Sequence, residues 1–219
     1  MKIHPAKQGS ADWLKARSTI PTASCFDRIL TPGKLEPSKS QGKYLAELLA
    51  AWWLGNPLDD MSSSFMQRGT ELEPEAAAWY CFDKGVSIEE CGLCLSDDER
   101  AGASPDRLVD DDGILEIKCP SPAVHMHYML NGFDDYALQV QGQLWITGRA
   151  WADKVSYHPV IPAVVIRVER DEKIIAAIAR EVGAFCDRLD ALKKQYDPQR
   201  LAALNGEVPS AFNELSHPF

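Results

Sequence analysis

Ser104-Pro105-Asp106, an acidic turn at Asp110-Asp111-Asp112-Gly113, and the run Ile114-Leu115-Glu116-Ile117-Lys118-Cys119-Pro120 are the stretch on which the reading of this chain turns. The turn residues separate two extended runs, so the stretch reads as a β-hairpin with acidic residues on both arms. The second arm alternates. In a strand Glu116 and Lys118 project to one face and Leu115, Ile117 and Cys119 to the other, so the apolar set can enter a core while the charged pair faces a cleft. Asp106 and Glu116, brought together across the hairpin, offer hard oxygen ligands to a small divalent cation; Mg2+ takes one or two carboxylates plus waters and substrate phosphate. Lys118 beside them can orient or help deprotonate an attacking water and balance charge growing on a phosphate. A solvated acidic hairpin with a surface Glu and Lys fits the same residues.

Working outward, the segments before and after the hairpin describe a mixed sheet flanked by helices, an α/β fold. Upstream, Ser10 can cap a helix over Ala11 to Arg17, and Thr22 a second one through Ala23 to Leu30. Tyr44 to Leu54 is a helix of high apolar content ended by Gly55-Asn56-Pro57, and Phe65 to Lys84 is helical but kinked or divided near Pro74. Short β-like runs follow at Val86 to Glu89, Gly92 to Ser96 and Ala101 to Ser104. Downstream, Tyr136 to Thr147 reads as a helix, and Lys154 to His158 and Val160 to Val168 as strands. From Glu172 onward Ile174, Ile178, Val182, Phe185, Leu189 and Leu192 recur every three or four residues, an amphipathic helix expected to pack on the sheet.

The chain has 219 residues, 45% of them hydrophobic, with a sequence pI near 5.0. One domain is expected over residues 1–204, with a mobile tail at 205–219 carrying Phe212, Leu215 and Phe219. No run approaches the roughly 18 consecutive apolar residues of a membrane span, and the first residues lack the apolar core of a secretory signal, so a cytoplasmic protein with no membrane partner is expected. Six cysteines at irregular spacings read as reduced thiols. Only Cys91-Gly92-Leu93-Cys94 invites a zinc reading, and no second pair completes it; His125 and His127 are the nearest candidates by type. A net charge of −9 excludes a protein that coats nucleic acid through bulk electrostatics. Any phosphate contact must be local, supplied by a few cations, helix N-termini or metal ions.

Four further residues gather around the hairpin's chemistry. By the 3.6-residue period Gln141 sits amid Ala137, Leu138, Leu144 and Trp145, whereas Gln139 and Gln143 fall on the opposite, solvated side. Gln141 therefore needs partners, either backbone groups in the interior or a ligand at a cleft. Glu73 shares a helical face with Gly69, Ala76, Ala77 and Tyr80, and reads either as a carboxylate held close to the protein body or as a favourable acid near a helix N-terminus. Ser24 lies in the first turn of its helix, with Arg17 ending the helix before. Together they could hold a phosphate, while Arg17 as an ordinary C-terminal helix cation is the alternative.

In order, Trp13 to Arg17 with Thr22-Ala23-Ser24, Gly69 to Glu73 with Ala76, Ser104-Pro105-Asp106, Leu115 to Pro120, and Gln139-Val140-Gln141 with Leu144-Trp145 resemble the YqaJ-type viral recombinase family, in the phage lambda exonuclease branch of the PD-(D/E)xK nuclease superfamily. The resemblance implies a restriction-endonuclease-like fold and a 5′-to-3′ exonuclease that degrades one strand of linear double-stranded DNA, leaving 3′ single strands for a single-strand annealing protein in recombination. It implies that Asp106, Glu116 and the Ile117 carbonyl bind Mg2+, with Mn2+ as a substitute, and that Lys118 serves the nucleophilic water. Glu73 would support a second ion, making two per site. Arg17, Ser24, Ser104 and Gln141 would hold the 5′-phosphate, so that Glu73, Asp106, Glu116, Lys118 and Gln141 form the catalytic set. It further implies a homotrimeric ring enclosing the DNA.

The chain departs from the family pattern at Arg107, where the motif Ser-Pro-Asp-Gly has glycine, and in the loop Thr31 to Gln41, which has lysines and no arginine. Two rivals share the hairpin: a structure-specific endonuclease of the same fold, separated by its indifference to a 5′-phosphate, and an inactive DNA-end-binding scaffold, which would have lost Asp106, Glu116 or Lys118.

Overall fold

The strand read around Glu116 is the middle strand of a five-stranded sheet in the computed structural model, which describes residues 2–58 and 64–198. In chain order the elements are β1 (Lys2–Ile3), α1 (Ala11–Arg17), a 3₁₀ turn (Ala23–Arg28), α2 (Gln41–Leu54), α3 (Ser64–Lys84), β2 (Ile88–Glu90), β3 (Cys94–Leu95), β4 (Gly102–Ala103), β5 (Arg107–Val109), β6 (Gly113–Lys118), α4 (Pro122–Asn131), α5 (Ala137–Thr147), β7 (Trp151–His158), β8 (Ile161–Glu169) and α6 (Glu172–Gln195). The larger sheet has the order β2-β5-β6-β7-β8; its pairs are antiparallel except β6 with β7, which run parallel. Parallel neighbours need a crossover, and α4 and α5 supply it. A second sheet has the order β1-β3-β4.

Both faces of β6 are covered, so its residues from Gly113 to Ile117 are buried rather than alternately exposed. Ile114 packs with Phe26, Val140, Leu144, Ile178 and Phe185 in one apolar cluster; Leu115, Ile117 and Cys119 pack with Ala76, Ala77 and Tyr80 of α3 in another. Fully burying side chains of this size stabilises by about 1.5–3 kcal/mol each. The hairpin's two-sided reading thus holds, with the charged face of β6 lying under α5 and not open to water.

Local signals explain most boundaries. The Ser10 hydroxyl accepts from the Trp13 N–H at the start of α1, and Gly55 ends α2 with φ of 67°, a left-handed value glycine adopts without strain. Asp171 caps α6 by accepting from the Lys173 and Ile174 N–H groups. Two expectations need correction. The segment after Thr22 is a 3₁₀ turn and the Thr22 side chain makes no capping bond; its backbone N–H instead donates to the Tyr44 hydroxyl. α3 is not divided at Pro74 but runs on to Lys84, with Leu72 before the proline and Ala76, Ala77 and Tyr80 after it packed in the same cluster. α6 packs on α2 and α5, and its Ile178 and Phe185 join Ile114 of β6 in the first apolar cluster, as expected of a helix that covers the sheet. β1 and α4 lay outside the reading, although Ser121 capping the Val124 N–H, with Pro122 next, is a legible helix start.

Cys91 and Cys94 are buried with their sulfurs 3.2 Å apart, and His125 is spent on Ser156 and the Pro162 carbonyl, so no zinc set forms among the described residues. Among those residues no helix is long and apolar enough to cross a membrane. The tail expected at 205–219, with Phe212, Leu215 and Phe219, lies outside the described residues.

Candidate active site

The hairpin register sets the carboxylates. Arg107 pairs with Leu115 and Val109 with Gly113, which leaves Asp106 at the mouth of the hairpin, its N–H donating to the Leu115 carbonyl over 3.1 Å. Its Oδ2 accepts from the Ile117 N–H at 2.6 Å, so the carboxylate is folded back over β6 beside Glu116. Burial pushes the Asp106 carboxyl well above the usual carboxylate range, and the charges of Glu116 and Glu73 push the same way against the Ile117 N–H and Lys118. Such mutual repulsion out of water is what a bound cation relieves. Lys118 Nζ donates to Glu116 Oε1 at 2.6 Å and lies 4.5 Å from the centre of the Tyr136 ring. Burial alone would depress its ammonium, but the carboxylates of Glu116 and Asp106 outweigh burial and raise it.

Glu116, only 2% exposed, is held from α5. Gln139 Nε2 donates to its Oε1 and Gln143 Nε2 to its Oε2, both at 2.6 Å. These are the two glutamines expected in solvent. Gln141, expected at the cleft, points away: its Nε2 donates to the Glu169 carbonyl at 2.8 Å and its Oε1 accepts from the Asp171 N–H at 2.9 Å, tying α5 to the junction of β8 and α6. The backbone alternative for Gln141 is therefore the one realised, and its neighbours could not decide between the two, because residues 138–147 of α5 are all buried or half-buried and the apolar ones do not mark which face meets the sheet. The i, i+4 spacing of Gln139 and Gln143 was the signal that could have found them.

One pocket of about 180 Å3 joins two groups of residues: Trp13, Arg17, Thr22, Ser24 and Ser104 on one side, and Asp106, Glu116, Lys118, Gln139 and Gln143 on the other. Arg17 lies over the Trp13 ring, 4.2 Å from its centre, and its Nη2 donates to Ser24 Oγ at 3.2 Å. Ser104 Oγ and Gln143 Oε1 are buried and have no hydrogen-bond partner among the described residues. Buried polar atoms of this kind are normally paired, so the pocket suits a polar occupant that both donates and accepts, such as a hydrated cation with a phosphate. Trp13, Tyr136, Gln139 and Gln143 complete this site and were not in the candidate set.

Asp106 and Glu116 retain acceptor capacity for one ion: of about four acceptor positions per carboxylate, Glu116 uses three and Asp106 one. Glu73 is placed differently. It comes from α3 to the neighbourhood of Asp106, but its Oε1 accepts from Arg107 Nη1 at 2.8 Å. No three His, Cys, Asp or Glu side chains among the described residues converge on one ion. The donor set of Asp106 and Glu116 fits one divalent cation, while Glu73 Oε1 is taken by Arg107.

A family model described as the YqaJ-like viral recombinase domain matches residues 12–150, which contain every candidate residue from Arg17 to Gln143. The chain belongs to this family. An alkaline exonuclease (LHK-Exo) from Laribacter hongkongensis is 37% identical, covering 89% of this chain and 100% of its own with a TM-score of 0.79; the structure of LHK-Exo in complex with dAMP matches with the same figures. A phage related exonuclease from Haemophilus somnus 129PT, 17% identical over 80% of this chain and 96% of its own with a TM-score of 0.62, shares the fold. No curated protein matches. The mixed sheet between helices is accordingly the restriction-endonuclease-like fold of this YqaJ-like family member.

Proposed function

We propose that this chain is a Mg2+-dependent 5′-to-3′ exonuclease that digests one strand of linear double-stranded DNA and leaves 3′ single strands for annealing recombination. That it is a DNA exonuclease of recombination follows from its family and its relation to the alkaline exonuclease. The metal, the polarity and the product are the further steps of the reading. The observation that carries them is the pocket that runs without a break from Arg17, Ser24 and Ser104 to Asp106, Glu116 and Lys118. At about 180 Å3 it is smaller than the roughly 300 Å3 at which drug-sized ligand sites begin, which suits a terminal phosphate better than a whole nucleotide. The complex of LHK-Exo with dAMP, a nucleoside monophosphate, supports a mononucleotide product here.

Asp106, Glu116 and the Ile117 carbonyl would hold Mg2+. When bound, the ion supplies a lowered water pKa and polarisation of the phosphoryl oxygen. Arg17 presents a planar fork of donors to the 5′-phosphate, pre-aligned by Trp13 and Ser24, and Ser104 Oγ offers it a hydrogen bond. Lys118, held at Glu116, donates to the attacking water or to a non-bridging oxygen of the scissile phosphate and balances the charge that grows there. Gln139 and Gln143 fix the rotation of the Glu116 carboxylate. A ring of three copies around the duplex and delivery of the 3′ strand to a single-strand annealing protein belong to the same proposal. A net charge of −9 favours enclosure over simple attraction as the means of staying on DNA.

The decisive comparison digests linear duplexes bearing 5′-phosphate or 5′-hydroxyl ends, and closed circles, with Mg2+ or EDTA and with Lys118→Ala. Expected are phosphate-dependent release of 5′ mononucleotides from linear DNA, no attack on circles, and loss of activity in EDTA and in the variant. Cleavage of circles would replace the exonuclease by an endonuclease, and activity surviving in EDTA would remove the metal.

A further inference from the structure

Arg107 opens β5 opposite Leu115. Directly paired residues of an antiparallel ladder share a face, so its side chain leaves the sheet on the side packed by α3, where Glu73 arrives. Its side chain is 14% exposed, and Nη1 donates both to Glu73 Oε1 and to the Asp106 carbonyl. A guanidinium stays charged at any working pH, and drawing a largely buried one away from its carboxylate leaves an uncompensated charge.

We infer that Arg107 is a resident cation of this site, standing at Glu73 where a second divalent ion would bind, so that the chain holds one divalent ion and not two. The inference rests on the reading of Asp106 and Glu116 as ligands of that ion. Charge balance points the same way. In their ionised forms Asp106, Glu116 and Glu73 face two fixed cations, Lys118 and Arg107, leaving one net negative charge. A single divalent ion reverses that charge. A second would add two more positive charges beside a guanidinium that cannot give up its proton. The failure of three acidic side chains to converge among the described residues is the geometric side of the same arrangement. Arg107 is therefore a positioning residue for Glu73 and sets the metal stoichiometry.

The experiment titrates the full chain with Mn2+ alone and follows it by electron paramagnetic resonance. Loss of the free-ion signal counts bound ions, and spin coupling reveals two that are neighbours. Wild type is expected to bind one Mn2+ per chain with an uncoupled spectrum. Arg107→Gln, which keeps most of the volume and removes the charge, gains a second, coupled ion; Arg107→Lys stays at one. Glu73→Gln also stays at one ion. Two ions on wild type, or one ion on a folded Arg107→Gln, overturns the inference while leaving Asp106 and Glu116 as ligands. The wild-type count decides even where the variant does not fold. No bound Mn2+ on either protein overturns the inference together with the metal reading on which it rests.

Discussion

Gln143 Nε2 lies 2.6 Å from Glu116 Oε2, and one helical turn earlier Gln139 Nε2 lies 2.6 Å from the other oxygen of the same carboxylate. The carboxylate cannot rotate without breaking one bond or the other, so its lone pairs are aimed before any ion arrives. Partners of ligands are commonly worth 10- to 100-fold in metal affinity or activity. Gln143→Leu is expected to raise the Mg2+ concentration needed for half-maximal rate and to lower kcat by about 10- to 100-fold, with KM for DNA ends little changed. An unaltered Mg2+ dependence would show that the clamp does not act on the site.

Gln141 should behave in the opposite way. Gln141→Ala removes two part-buried hydrogen bonds, to the Glu169 carbonyl and from the Asp171 N–H, at about 0.5–1.5 kcal/mol each. Urea unfolding should report that loss, while kcat at a temperature where the variant is folded stays at the wild-type value. A large fall in kcat would return Gln141 to the site.

A Cβ at Gly142 would lie 2.6 Å from Phe26 Cδ2, 2.7 Å from Cε2 and 3.2 Å from the Ala23 Cβ. Phe26 and Ala23 belong to the 3₁₀ turn that presents Ser24, so Gly142→Ala pushes that turn off α5. Overpacking of this kind costs about 1–3 kcal/mol. Beyond a lower Tm, the ratio of rates on 5′-phosphate and 5′-hydroxyl ends is expected to shrink, because the end-binding side of the pocket moves relative to Glu116.

Tyr157 donates its hydroxyl to Glu75 Oε1 at 2.7 Å, and burial first, then that bond, pushes its phenol up to about 12. A folded pKa above the unfolded value of about 10 means the folded chain keeps a proton that the unfolded chain loses. This stabilisation is complete below the unfolded pKa and is lost as pH rises through the folded one. Wild type should therefore lose more unfolding free energy between neutral and strongly alkaline pH than Tyr157→Phe, by parallel denaturant titrations. Equal losses would show that the hydroxyl is not protected.

How much of this was legible depends on what each residue's neighbours could say about direction. Asp106, Glu116 and Lys118 were readable because a two-residue period and an acidic turn determine which side chains meet across a hairpin. Arg17, Ser24 and Ser104 could be placed through ordered motifs, and the pocket brings them together. The orientation of α5 could not be read from its apolar residues, because from Leu138 to Thr147 none is exposed; only the i, i+4 pair Gln139 and Gln143 marks the face that meets Glu116. Tyr136 escaped notice because its left-handed backbone, φ 69°, carries no sequence mark in a tyrosine. Whether α3 divides at Pro74 was not readable, because the local breaking tendency is overridden by tertiary burial on both sides of it.

The enclosure of α5 also bears on how the protein fails. From Val140 to Thr147 the amide hydrogens of this helix, which has no exposed residue there, are expected to exchange with solvent mainly when the fold as a whole opens, whereas ligand-binding segments usually open through smaller local fluctuations. With Glu116 clamped from that helix, the chemistry has no early breathing mode of its own. On heating, catalytic inactivation and the cooperative loss of structure should trace one curve.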